Sequence, residues 1–194
     1  IALGYNLVIS HHPLIFKGYK SITGKDYVER CILKAIKNDI VIYSAHTNLD
    51  NAYGGVNYKI AEKIGLKNLQ VLEPKENSLQ DDLTQVGAGI VGELDELETE
   101  LEFLKRIKKT FEVGCVRHNR LTGREIQKVA LCGGAGAFLL PQAIRAGADV
   151  FITGEIKYHD YFGHEGDILM AEIGHYESEQ YTKEIFYSII RDLF

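Results

Sequence analysis

Two adjacent histidines, His11 and His12, stand at the end of an apolar stretch, and far along the chain His175 and Glu179 form a second possible ligand pair. Between them the segment 44–50 adds His46 and Asp50. Imidazole and carboxylate groups on three separated segments are the donors a two-metal site needs, and such a site would do hydrolytic chemistry by Lewis acidity and by acidifying a water. Mixed nitrogen and oxygen donors without thiolates suit zinc, iron or manganese and do not choose among them. The expected cofactor is therefore a pair of divalent metal ions per chain.

A single histidine is ordinarily a satisfied core residue, and Asp50 alone would read as a turn residue. The argument rests on position. Leu7 to Ser10 reads as a short buried strand that delivers His11 and His12 at its C-terminal end, with Pro13 pushing His12 toward an extended conformation. Side chains alternate on an extended segment, so the doublet is expected to serve two neighbouring ions rather than chelate one. Ile40 to Ala45 reads as a second buried strand, again followed by polar residues, His46 and Asp50. Residues 174–179 have the form of a strand-to-helix turn, with Ser178 as N-cap and Glu179 in the first helical turn, where the helix dipole also favours a carboxylate.

Helices alternate with these strands. Val28, Cys31, Ile32, Ala35 and Ile36 define one over 26–37, and Val56, Ile60, Ala61 and Ile64 define the next, ended by Gly65. This order predicts parallel strands with crossover helices and sites outside the strands' carboxyl ends. The polar stretch 69–85, containing Pro74, predicts a linker. The expected domains are an N-terminal α/β lobe over 1–76, a linker over 77–85 and a C-terminal α/β lobe over 86–194. In the last lobe, strands are predicted over 86–94, 113–117, 127–132, 150–153 and 168–173. Helices are predicted over 99–111 and 137–146, with a short one around 158–162 and a long amphipathic one over 178–194.

Gly133 to Gly136 lacks the lysine and hydroxyl residue of a P-loop, and is a weak phosphate signal at a strand-to-helix turn. His118 and His164 have no comparable setting, and His159 follows a strand. Tyr19, Lys157 and Tyr158 are candidates for substrate contact.

The 22 basic and 27 acidic residues among 194 form no basic stripe, so no direct nucleic-acid binding is expected. Three cysteines without a CxxC pair suggest buried, reduced thiols in a cytoplasmic protein. The sequence has neither a membrane-length apolar run nor a basic leader. Because it opens on Ile1 within an element, a preceding segment is expected.

Six stretches carry a family resemblance: SHHPLIF at 10–16, YSAHTNLD at 43–50, GAGIVGEL at 87–94, CGGAG at 132–136, ITGEIKYHD at 152–160 and GHYESE at 174–179. In these the chain resembles the GTP cyclohydrolase 1 type 2 homologue family, the Nif-three-like proteins. The resemblance implies two related α/β lobes, with mixed or parallel sheets flanked by helices and a metal site in the cleft between them. It implies a dinuclear site ligated by His11, His12, Asp50, His175 and Glu179, with Glu179 bridging and His46 close by. It further implies a toroidal homo-hexamer. The activity it suggests is metal-dependent hydrolysis of a nucleotide-like small molecule. Under that reading His46, if not a ligand, is the expected proton shuttle, because a histidine's ordinary pKa lies close to the working pH. The alternative is a non-catalytic metal-binding scaffold or regulatory interaction protein.

Overall fold

The apolar runs that end in histidine pair with each other. In the computed structural model, which describes residues 1–75, 86–164 and 166–193, β1 (Leu7–Ser10) and β2 (Val41–Ser44) are parallel, with Leu7 opposite Val41 and Ser10 opposite Ser44. The crossover that a parallel pair requires contains α1 (Tyr27–Lys37), which buries Ile32 and Ala35. The chain divides into two compact units, Ile1–Leu49 and Asp50–Phe194.

In the smaller unit the N-terminus of α1 is fixed twice. Asp26 caps it by accepting from the Glu29 amide at 2.8 Å. Glu29, fully buried, accepts in turn from the amides of Thr23 (2.8 Å), Gly24 (2.7 Å) and Lys25 (3.1 Å) and from the Thr23 hydroxyl (2.9 Å). Burial pushes the Glu29 carboxyl up, but these donors outweigh it and hold it below its ordinary value of 4.5. The strands themselves are less buried than the sequence predicts: Val41 is 62% and Tyr43 55% exposed. A two-stranded sheet leaves each strand an open edge, and α1 is the unit's one long helix.

The larger unit is built on a six-stranded sheet ordered β3-β4-β6-β7-β8-β5. Its strands are β3 (Lys67–Pro74), β4 (Gly87–Thr99), β5 (Arg117–His118), β6 (Glu125–Cys132), β7 (Val150–Thr153) and β8 (Leu169–Glu172). The neighbours β6, β7 and β8 run parallel, and the remaining pairs are antiparallel. After the single turn α2 (Thr47–Asp50), helices α3 (Val56–Ile64) and α4 (Glu100–Thr110) pack against β4 and β6, and α5 (Leu140–Arg145) packs against β3 and β7. All residues of β7 and β8 are buried, as strands covered on both faces must be. The core includes Ala130, Leu139, Phe151 and Met170. Among the described residues no helix is long and apolar enough to cross a membrane.

The mixed α/β architecture is as expected, with local differences. The division at Leu49 falls earlier than the expected lobe boundary after 76, and the predicted linker 77–85 lies outside the described residues. Within the polar stretch 69–85, residues up to Pro74 are strand. β3 is an edge strand bonded to β4 alone, so its outer side tolerates polar residues and a terminal proline. The strand expected over 113–117 shrinks to Arg117–His118, because the Val113 amide returns to the Lys108 carbonyl and closes the end of α4. The last helix is broken into α6 (His175–Glu179) and α7 (Thr182–Leu193). On α7, Ile185 is buried while Ile189, Ile190 and Leu193 are exposed. Of the cysteines, all free, only Cys132 is buried.

Two outcomes test this account. Phe151→Ala should destabilise the protein by about 3–5 kcal/mol in urea unfolding, because its ring is completely enclosed. Because the Glu29 pKa is depressed on folding, its stabilisation is full above the unfolded value and is lost as pH falls through the folded one. Glu29→Gln removes that titration, so the melting temperature should fall less steeply than the parent's between about pH 6 and 3. An equally steep fall would exclude the assignment.

Candidate metal centre

The ends of β1 and β2 bring the smaller unit's histidines together. Ser10 and Ser44 sit opposite each other with hydroxyls 2.9 Å apart, and the Ala45 amide donates to the Ser10 carbonyl at 3.0 Å. The Ser10 hydroxyl also donates to the His12 carbonyl at 2.9 Å, which turns the chain as it leaves the strand. His11 and His12 therefore lie on a bend rather than on extended backbone, and the expected alternation does not apply. Their ring centroids are 5.0 Å apart, with His46 at 5.4 Å from His11 and 4.9 Å from His12. One ring nitrogen from each of the three lies within 4.8 Å of the others, so His11, His12 and His46 could hold an ion in common. His11 Nδ1 is 2.8 Å from the Ala45 carbonyl, which can only accept, so the proton sits on Nδ1 and the lone pair on Nε2.

In the larger unit the parallel register aligns Cys132, Thr153 and Glu172, so β6, β7 and β8 finish at one edge of the sheet. Past that edge each chain segment turns at glycine: Gly133-Gly134, Gly154 and Gly174. His175 opens α6, and Glu179 lies one helical turn later on the same face, with Oε2 3.3 Å from His175 Nε2. The other ring nitrogen, Nδ1, is 2.5 Å from Glu155 Oε1.

The glycine turn is the floor under this pair. Gly134 has φ +61, and a Cβ there would fall 2.3 Å from Glu179 Oε1 and 3.2 Å from His175 Nε2. Its amide donates to the Ser178 hydroxyl at 3.0 Å, and Ser178 donates to the His175 carbonyl at 2.8 Å. The Gly134 carbonyl accepts from the Thr153 hydroxyl at 3.2 Å and the Glu155 amide at 3.0 Å. The Gly133 amide donates to Asn57 Oδ1 at 2.9 Å, and Asn57 Nδ2 donates to the Asp50 carbonyl at 2.9 Å. Cys132, just before the turn, has its thiol pushed up to about 12, chiefly by burial and then by the charges of Asp50 and Glu179.

This arrangement alters two expectations. The amides of Gly133, Gly134 and Gly136 are bonded to Asn57, Ser178 and Thr153, so the glycine turn is internally satisfied rather than an anion cradle. Ser178 is not an N-cap: Gly174 precedes the helix, and Ser178 ties α6 to the turn. His118, His159 and His164 make local contacts, with Asn119, with Tyr158 and Phe162, and with Asp167 respectively. Lys157 precedes the short 3-10 turn Tyr158–Tyr161 and is exposed, as Tyr158 is. Tyr19 bonds Asp26 at 3.5 Å. Sequence reasoning missed Asn57, Thr153 and Glu155. Asn57 carried a signal, because asparagine is a poor helix former placed beside the apolar stripe of α3.

The model of the Duf34/NIF3 family (NGG1p interacting factor 3) matches residues 1–194. The chain belongs to this family. Among NIF3-family relatives, a protein of Lactococcus lactis described as a GTP cyclohydrolase 1 type 2 homolog is 34% identical over 98% of this chain and 70% of its own length. One of Clostridium perfringens with the same description is 36% identical over 91% of this chain and 66% of its own. The chain thus spans about two-thirds of the curated relatives it matches. The crystal structure of a hypothetical protein of Staphylococcus aureus superposes with a TM-score of 0.87 at 31% identity, covering 98% of this chain and 73% of that one. A Bacillus cereus protein related to NIF3 superposes at 0.81 with 26% identity, covering 91% and 74%.

The steric role of the turn can be measured. Gly134→Ala should displace the Glu179 carboxylate and weaken zinc binding by about tenfold or more. Gly147→Ala, at a similar φ of +69 but with open space around it, should bind as the parent does. Equal affinity in both variants would remove the turn from the site.

Proposed function

We propose that this protein is a metal-dependent hydrolase of a nucleotide-like small molecule, with two divalent ions per chain held by His11, His12, Asp50, His175 and Glu179. Glu179 would bridge the ions. The observation that carries the proposal is the gathering of His11, His12 and His46 at the ends of two paired strands, with ring nitrogens within 4.8 Å. In support, the larger unit independently presents His175 and Glu179 at one sheet edge, and relatives bear the description GTP cyclohydrolase 1 type 2 homolog. The donor set fits zinc, iron or manganese.

Ions bound there would supply Lewis acidity and a water acidified toward neutral pH. The chain's own contributions are positional. The Ala45 carbonyl keeps the His11 lone pair on Nε2. The Asn57 bond to the Asp50 carbonyl fixes the backbone from which that carboxylate projects. His46 is assigned proton transfer, which a histidine performs well because its ordinary pKa lies near neutrality. For a guanine nucleotide, water would add at C8 and the imidazole ring would then open. The homo-hexameric ring and the cytoplasmic setting implied by the resemblance belong to the same proposal, and the exposed Ile189, Ile190 and Leu193 of α7 give subunit contacts an apolar surface to cover.

Elemental analysis of protein purified without chelator or histidine tag is expected to give about two ions per chain, with sharp loss in Glu179→Ala and Asp50→Ala. GTP turnover should disappear in the same variants. An active variant without metal would refute the proposal, and metal without turnover of nucleotides would favour the scaffold reading.

A further inference from the structure

The β7 turn presents a carboxylate to the wrong side of His175 for it to share an ion there. Glu155 Oε1 lies 2.5 Å from Nδ1, whereas the carboxylate of Glu179 faces Nε2 across the ring at 3.3 Å. One imidazole is thus gripped at both nitrogens by carboxylates of different settings. Glu179 is largely buried, at 9% side-chain exposure, and Glu155 is half exposed, at 54%.

We infer that Glu155 is a positioning residue for the metal centre: it holds the Nδ1 proton of His175 and so directs the Nε2 lone pair toward an ion. A carboxylate behind a ligating histidine fixes the ring's rotation and tautomer and makes the opposite nitrogen a stronger donor. The backbone around Glu155 is built for the task. Its amide donates to the Gly134 carbonyl at 3.0 Å, and the Thr153 hydroxyl donates to the same oxygen at 3.2 Å. Gly154, between them, packs so closely that a Cβ would fall 2.6 Å from the Gly134 carbonyl, 2.8 Å from Ser178 Oγ and 2.9 Å from His175 Cα. The segment Thr153–Glu155 is therefore pressed against the backbone that carries His175, and its side chain arrives there without a long flexible approach. An exposed histidine–carboxylate pair contributes little to stability, so stability gives a weak reason for this one. Ligand orientation gives a strong one.

This inference rests on the proposed metal site, and the test separates the two. Zinc affinity is measured on the full chain by competition with a chromophoric chelator for the parent, Glu155→Gln, Glu155→Asp and Glu177→Gln, with circular dichroism and melting curves alongside. Glu155→Gln is expected to bind zinc about 10–100-fold more weakly at unchanged fold. Glu155→Asp keeps the charge but shortens the reach, and should fall between Gln and the parent. Glu177→Gln removes an equal charge from α6 without touching Nδ1, and should match the parent. If the parent binds zinc and both Glu155 variants bind equally well, the positioning role is overturned while the metal site stands. Equal weakening in Glu155→Gln and Glu177→Gln would also overturn it, since net charge would then suffice. A parent that binds no zinc overturns both readings.

Discussion

Two consecutive glycines tie together the segments that carry Asp50, His175 and Glu155. The Gly133 amide reaches Asn57, and through it the carbonyl of Asp50. The Gly134 amide reaches Ser178 and through it His175, while the Gly134 carbonyl takes the Thr153 hydroxyl and the Glu155 amide. Elements distant in sequence are thus referenced to one short stretch of backbone. With the side chains of Glu179 and His175 lying against it, no Cβ can stand at Gly134 without entering the space of Glu179. The positive φ and the missing side chain are two demands that only glycine meets together.

Such a network has high stakes. A buried polar group left unpaired costs about 1–3 kcal/mol, so each lost partner exposes its neighbour to that penalty. Asn57, Thr153 and Ser178 are nearly inaccessible, which makes their bonds directional constraints rather than surface decoration. The parallel register of Cys132, Thr153 and Glu172 supplies the frame. Without it, the turns after β6, β7 and β8 would not start at one level.

Much of this was legible in the sequence, where strand and helix patterns had a strong physical cause. The apolar stripe of α3 and its glycine stop, and polar residues following strand ends, all follow from local rules. Edge placement hid β3, since a strand bonded on one side needs no continuous apolar run. The bend at His11 and His12 was hidden because it depends on the Ser10 hydroxyl bonding back to the His12 carbonyl, a choice no spacing rule records. The glycine turn was visible as glycines but not as a hub, because its partners lie 17 to 76 residues away. Glu155 was equally silent, its role being fixed only once β7 and α6 lie side by side.

One device recurs in both units with a different span. Glu29 collars the amides of Thr23, Gly24 and Lys25, and Glu100 collars Thr122 and Gly123 through the same kinds of bond. The first loop closes over 4 to 6 residues, the second over 22 or 23. Short closures form early in folding, because little chain entropy is lost before the bond is made. The far end of the loop that begins at His11 can therefore be fastened while the chain is still largely unfolded, whereas the second collar must wait for β4 and β6 to find each other. Order of assembly is thereby written into the spacing of two otherwise equivalent carboxylates.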